Sequence, residues 1–311
     1  MKKIIFVLLI LVSITLVGCG KNKENTKYNI VATNFPCYDF ARAVINDVDD
    51  ISVEMLLKPG SETHDFEPTP RDIIDIKNSD IFIYVGGESD TWIDDILDDL
   101  DKDKTKVIRL MDYVTLYEEE TTEGMEEEHE EEEEETEYDE HVWTSPKNAI
   151  KIIDEIKNEV IKLDPTNTEK YNENSSNYIN EIRNIDNDIK EIVSTSKRKE
   201  LVFGDRFPLR YFVEEYDLLY HAAFPGCAHE TEASAKTVTY LIDYVKDNNI
   251  PVVFHIELSN DKLSETIAKE SGAKVLEFNS AHNISKKDFD DGITYVDIYK
   301  ENVKVLKEAL N

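Results

Sequence analysis

The pattern that most constrains this chain is an alternation of short apolar runs with helical stretches that occurs twice, on either side of a strand-free segment. In the first half, "YNIVATNF" (Tyr28 to Phe35), "ISVEMLL", "IFIYVGG" and "KVIRLMD" read as strands. The helical patterns "YDFARAVIND", "TPRDIIDIKNSD" and "TWIDDILDDL" lie between them. Thr69 with Pro70 is a cap followed by a proline at the first helical position. From Glu200 the alternation returns. Strands "LVFGD", "LLYHAAF", "PVVFHIE" and "KVLEF" interleave with helices "LRYFVEEY", "TVTYLIDYVKDNN" and "DKLSETIAKES", the last ending at Gly272. Strands alternating with helices imply a parallel sheet covered on both faces. Between the two series, Ser145 to Ser194 contains no strand-like run. "PKNAIKIIDEIKNEVIKLD" is one helix, and after Pro165 a longer one follows with Tyr and Ile recurring at helical spacing. Some 25 helical residues span roughly 40 Å at 1.5 Å each, enough for a stiff strut. The expected fold class is α/β, with two Rossmann-like lobes of parallel sheet joined by a long rigid helix. The expected boundaries are 28–164, 165–197 and 198–311.

One segment interrupts the first lobe. Glu118 to Trp143 holds sixteen carboxylates, two histidines and no Lys or Arg. Removing those carboxylates from the 67 acidic residues would leave 51 against 35 basic ones, which halves the net charge of −32. Adjacent like charges with little to bury cannot fold alone, so 117–140 is expected to be a solvated loop inserted in the first lobe. This charge balance disfavours nucleic-acid or anionic-membrane binding through electrostatics, since phosphates would be repelled. The N-terminus has a basic start, an apolar stretch from Ile4 to Ile10, and "LVGC" ending at Cys19. That is the layout of an export signal over 1–19, followed by a flexible polar tether over 20–27. Cys37 and Cys227 then belong to a chain outside the reducing cytosol, although two cysteines so far apart in sequence do not establish a bridge.

Candidate chemistry gathers where these strands end. His64 follows a strand in "KPGSETHDFEPTP", Asp205 closes "LVFGD", His282 follows the last apolar strand in "EFNSAHNIS", and His141 sits in "YDEHVWTSPKNA" just before a helix. Ligands of open α/β sheets bind outside the carboxyl ends of strands. Three imidazoles and a carboxylate drawn from both lobes form a fitting tetrahedral set for Zn²⁺. Glu67, Glu140 or Glu232 could hold the second ring nitrogen of such histidines. A lone loop histidine is ordinarily a surface residue, and no CxxC or HExxH spacing is present. His221 and His255 lie within strands and read as packed core residues, whereas His129 and His229 read as solvent-facing.

"THDFEPTPRDI", "NSDIFIYVGGESDTWIDDIL", the acidic His-containing insert, "DEHVWTSPKNA" and the "DP…N…Y…N" run before the long helix resemble a known family. They are similar to the metal-binding lipoproteins of bacterial zinc and manganese ABC importers, especially the zinc type, over about Tyr28 to Leu310. The resemblance implies a monomeric lipoprotein, held to the membrane by lipid on Cys19, that captures Zn²⁺ and passes it to an ABC permease without catalysing a reaction. Two of the family's ligands fall on His64 and His141. Its third falls on Arg206, beside which Asp205 could coordinate, and its fourth falls on Asn279, for which His282 substitutes. Glu232 and Glu257 fall where the family supports the cleft. The insert with His129 implies a cation-concentrating loop. Mn²⁺ is the alternative cargo if Asp205 and Glu257 both coordinate, because harder oxygen donors favour it. A metallohydrolase or a metal-free adhesin are the rival classes. Neither HExxH nor a nucleophile elbow speaks for the former.

Overall fold

A computed structural model describes residues 26–61, 66–126, 137–228 and 232–311. The expected export signal with Cys19, most of the expected tether, His64, His129 and His229 lie outside the described residues. No described helix is long and apolar enough to cross a membrane.

The first lobe is built on four parallel strands, β1 (Tyr28–Ala32), β2 (Ile51–Met55), β3 (Ile81–Tyr84) and β4 (Lys106–Arg109), in the order β2-β1-β3-β4. The second repeats the arrangement with β5 (Glu200–Arg206), β6 (Leu219–Phe224), β7 (Val252–His255) and β8 (Lys274–Glu277), in the order β6-β5-β7-β8. In each sheet the strand order reverses beside the first strand, which opens a crevice at the carboxyl ends. Burial explains the run compositions. All four residues of β3 are buried, as expected of a central strand covered on both faces.

Helices α1 (Phe35–Val44) and α2 (Pro70–Asn78) flank the first sheet. Thr69 closes a full capping box with Asp72 at the start of α2. The stretch "TWIDDILDDL", expected to be one helix, is instead a 3-10 turn over Glu88–Ile93 followed by the five-residue α3 (Asp94–Asp98). Aspartates at 94, 95, 98 and 99 are poor helix formers, and those at its end oppose the helix dipole.

α4 (Pro146–Leu163) and α5 (Thr168–Thr195) form the strand-free middle. At 28 residues, α5 runs roughly 42 Å. It buries Tyr171, Ile179, Ile182, Ile185, Ile189 and Ile192 on one face. Near its start, the Asn174 side chain donates to the Val44 and Asn46 carbonyls of the first lobe. Further along, Asp186 accepts from the Tyr216 hydroxyl of the second. The second lobe adds α6 (Arg210–Tyr216), α7 (Ala235–Asp247), α8 (Lys262–Ser271), α9 (Lys286–Asp290) and α10 (Tyr295–Leu310). α10 follows the last alternating pair and has no place in the strand–helix pattern read from the sequence. It packs against α5, and one apolar cluster runs without a break from Ile30 and Phe40 through Trp143 and Ile182 to Phe278 and Tyr299.

The arms of the acidic run differ from expectation. Glu118 and Tyr138 form an antiparallel bridge, supported by Glu119 N to the Glu137 carbonyl (3.0 Å) and Asp139 N to the Tyr117 carbonyl (3.0 Å). The rising arm lies on the second lobe, where Met125 is buried, Glu126 N donates to the Ala223 carbonyl (3.0 Å), and the Glu126 carboxylate accepts from Ser234 N at the start of α7. Gly124, at φ +89°, lies flat on the Tyr240 ring, where any Cβ would collide. Backbone partners and one apolar anchor therefore overcome the charge repulsion in these arms, which are not the freely solvated loop the composition suggests. Cys37 and Cys227 are free buried thiols and are not bridged.

Candidate metal centre

Of the four residues read from the sequence as metal ligands, the structure brings His141 and His282 together from opposite lobes. Their rings are 5.0 Å apart and perpendicular, and both are buried. Trp143 lies against both, with ring separations of 5.4 Å to His141 and 4.8 Å to His282. It is fixed by its indole N–H to the Ser280 carbonyl (2.9 Å). The His141 segment belongs to the first lobe, yet the Tyr295 and Tyr299 hydroxyls of α10 donate to the Trp143 and Thr144 carbonyls. The segment that carries this candidate ligand is thus clamped by the lobe it faces.

Asp139 orients His141. One carboxylate oxygen accepts from the His141 backbone N–H (2.8 Å) and lies 3.2 Å from ring Nδ1. An imidazole held by Nδ1–H to a carboxylate presents Nε2 to a metal. Gly226 sits so close that a Cβ there would lie 3.3 Å from His141 Cε1 and 3.2 Å from Asp139 Oδ2. Burial pulls His141 toward its neutral form, but Asp139, with Glu140 and Glu119, overrides it and holds the imidazole pKa above the ordinary value.

His282 is held through the backbone. Glu257, two residues past β7, accepts from Ser280 N (2.7 Å), the Ser280 hydroxyl (2.6 Å) and His282 N (3.0 Å), and so fixes the loop that carries the ring. Ala281, between them, takes φ +58°, a cost the clamp sustains. Asn279 supplies turn bonds, accepting from Ala281 N (2.8 Å), while its own N–H donates to Asn302.

Asp205 stands at the carboxyl end of β5 as expected, but its carboxylate accepts from Arg206 N (2.8 Å), Ile256 N (3.1 Å) and the Ser259 hydroxyl. It ties β5 to the β7 loop and is not among the described ligand atoms that converge. Those are Glu140, His141 and His282, with one potential ligand atom from each lying within 4.8 Å of the others. The sequence placed Glu140 behind an imidazole. In the structure Asp139 has that place, and Glu140 faces the same space as the rings. Glu67 and Glu232 are exposed. Asp139 was missed because it directly precedes the residue thought to do its work; the signal was a carboxylate two residues before the histidine.

The pocket beside this cluster is lined by Thr33, Asn34, Val85 and Asp90 from the carboxyl ends of β1 and β3, with Glu140 and His282. Two carboxyls, Asp90 and Glu140, line it, and Asp139 and Glu119 act on His141 beside it. Burial raises Glu119 and Glu140 above the usual carboxylate range and pushes Asp90 up to about 7. Asp139 is 2% exposed. So much anionic character in a desolvated place is costly without a cation.

Residues 30–309 match the family described as zinc-uptake complex component A, periplasmic. The chain belongs to this family. It is 33% identical over 311 residues to a zinc-binding lipoprotein, AdcA, of Streptococcus pneumoniae, covering 99% of this chain but only 61% of that protein. It is 32% identical over 289 residues to the high-affinity zinc uptake system protein ZnuA of Bacillus subtilis, covering 93% and 89%. Among solved structures, the Zn(II)-bound ZnuA-like domain of the pneumococcal AdcA superposes with TM-score 0.75 at 30% identity, covering 91% of this chain and 99% of that one. A metal-dependent lipoprotein of Bacillus subtilis, YcdH, gives 0.76 at 29%, with the same coverage. Both α/β lobes and the helix between them are therefore those of the zinc-uptake family.

Proposed function

We propose that this chain is an extracytoplasmic solute-binding lipoprotein that captures Zn²⁺ between its lobes and delivers it to an ABC permease. The observation that carries this is the pair of imidazoles, one from each lobe, 5.0 Å apart, the His141 ring against the Asp139 carboxylate and the His282 backbone held by Glu257. His64, from residues outside the described set, joins His141 and His282 in the proposed shell. Zn²⁺ accepts this nitrogen-rich set readily, and a rigid dry cage of this kind suits capture and release. A manganese site would need more hard oxygens, and Asp205, one of the two it would draw on, is occupied with backbone. Family membership sets the chain among transport components and not among enzymes. The lipid on Cys19, the monomeric state and the permease belong to this reading as well.

The test is a competition titration of the chain, begun after residue 25, against a zinc chelator of known affinity. His141→Ala and His282→Ala should each weaken zinc binding by about 100-fold or more, beyond the loss typical of outer-shell partners. Tight stoichiometric zinc in both variants would overturn the assignment.

A further inference from the structure

We propose that Glu140 is itself a metal ligand, supplying from the first lobe the carboxylate that the sequence assigns to Asp205 of the second. The inference deepens the zinc-capture reading and rests on it. A Glu140 carboxylate oxygen lies within 4.8 Å of a ring nitrogen of both His141 and His282. Tetrahedral ligands at about 2.1 Å from zinc sit roughly 3.4 Å apart, so modest side-chain rotations close the shell. No backbone rearrangement is required, since all three groups already face one space.

The neighbourhood is shaped to hold this carboxylate. Glu140 is 2% exposed. Its two oxygens accept from the Ser89 backbone N–H (3.0 Å) and the Ser89 hydroxyl (2.6 Å). A carboxylate has about four acceptor sites, so these neutral bonds fix its plane and are compatible with coordination. Gly87 keeps the space open. At φ +92°, a Cβ there would stand 2.7 Å from Glu140 Cβ and 2.8 Å from Oε2. The loop after β3 is thus moulded around a glutamate at this position. Asp205 is bound to Arg206 N, Ile256 N and Ser259, and it is not among the described ligand atoms that converge.

An anionic oxygen beside neutral imidazoles also matches charge, since it offsets half of the ion's +2. The same substitution has a consequence for geometry. Two of the ligands, Glu140 and His141, are consecutive in the chain, and His282 faces them from across the cleft.

The experiment measures zinc affinity by chelator competition, together with the Co²⁺-loaded absorption spectrum and zinc X-ray absorption, on wild type, Glu140→Gln, Ser89→Ala and His141→Ala. Thermal melting without metal checks that each is folded. A ligand role predicts that Glu140→Gln loses about 100-fold or more in affinity, shifts the Co²⁺ bands and loses one oxygen scatterer. Ser89→Ala, which only loosens the carboxylate, then costs about 10-fold or less, the low end for an outer-shell partner. Zinc affinity within threefold of wild type and an unchanged Co²⁺ spectrum in Glu140→Gln overturn the proposal. So does Ser89→Ala matching Glu140→Gln, because that pattern means the glutamate merely braces the loop. Loss of binding in His141→Ala with retention in Glu140→Gln rejects this ligand alone, whereas retention in His141→Ala rejects the zinc site as a whole.

Discussion

At the scale of single residues, the candidate site is governed by what stands behind each imidazole. Asp139 fixes the tautomer and the aim of His141 through two contacts to one oxygen. Asp139→Ala is therefore expected to reduce zinc affinity by about 10- to 100-fold while leaving the stoichiometry at one, checked by calorimetric titration. His64 and His282 were legible in the sequence because they follow apolar runs where parallel strands end, and His141 because it stands in "DEHVWTSPKNA" just before a helix. Their supporting carboxylates were less so. Glu257 was legible through the resemblance, which puts a supporting glutamate there; it lies two residues past β7. Asp139 and Glu140 lie in a run so rich in acid that composition gives neighbouring carboxylates no individual meaning, and only burial separates them. Asp205 misled for a related reason: a strand-end carboxylate can serve backbone amides as readily as a metal, and the pattern does not distinguish the two.

At the scale of elements, α5 is the part whose role follows most directly from spacing. Its isoleucines recur every three or four residues and are buried along one face. Ile182 is fully buried, and Ile182→Ala should cost about 2–5 kcal/mol in urea unfolding of the metal-free chain. Asn172→Ala, on the exposed face, should stay within about 0.5 kcal/mol. Strand and helix alternation fixed the two parallel sheets because each run has one period and one neighbour. The periods did not yield α10, which no following strand brackets. They overstated the aspartate-rich stretch after β3, where helical spacing of Ile and Leu competes with unfavourable end charges. Nor could local pattern show that the rising acidic arm lies on the second lobe, since Gly124 against Tyr240 and Glu126 against α7 are contacts of high sequence separation.

At the scale of the whole molecule, acidity and metal are linked. Asp90, with its pKa pushed by burial from 3.8 to about 7, and His141, held above 6.5, both bind protons more tightly folded than unfolded. Such groups contribute stability that is full below their unfolded pKa and is lost as pH rises through the folded one. Glu126 and Asp164 are shifted the opposite way but titrate below their ordinary values of 4.5 and 3.8, outside this window. His221, lowered by burial, does oppose the trend here, one imidazole against Asp90, His141 and the raised carboxyls of Glu119, Glu140 and Glu257. The metal-free chain should thus melt at a lower temperature at pH 8 than at pH 5.5, by differential scanning calorimetry. The increment from zinc should be larger at pH 8, where no proton competes for the imidazole. A second consequence comes from the unbroken apolar cluster that threads both sheets and α5. Prising the halves apart would wet that cluster, and at roughly 25 cal/mol per Å² even 400 Å² would cost about 10 kcal/mol, comparable to the stability of an entire domain. A hinge swinging the halves apart is therefore disfavoured, and an ion held at the proposed site would be expected to leave by movement of the short segments around residues 140 and 282, with the apolar body between the sheets kept closed.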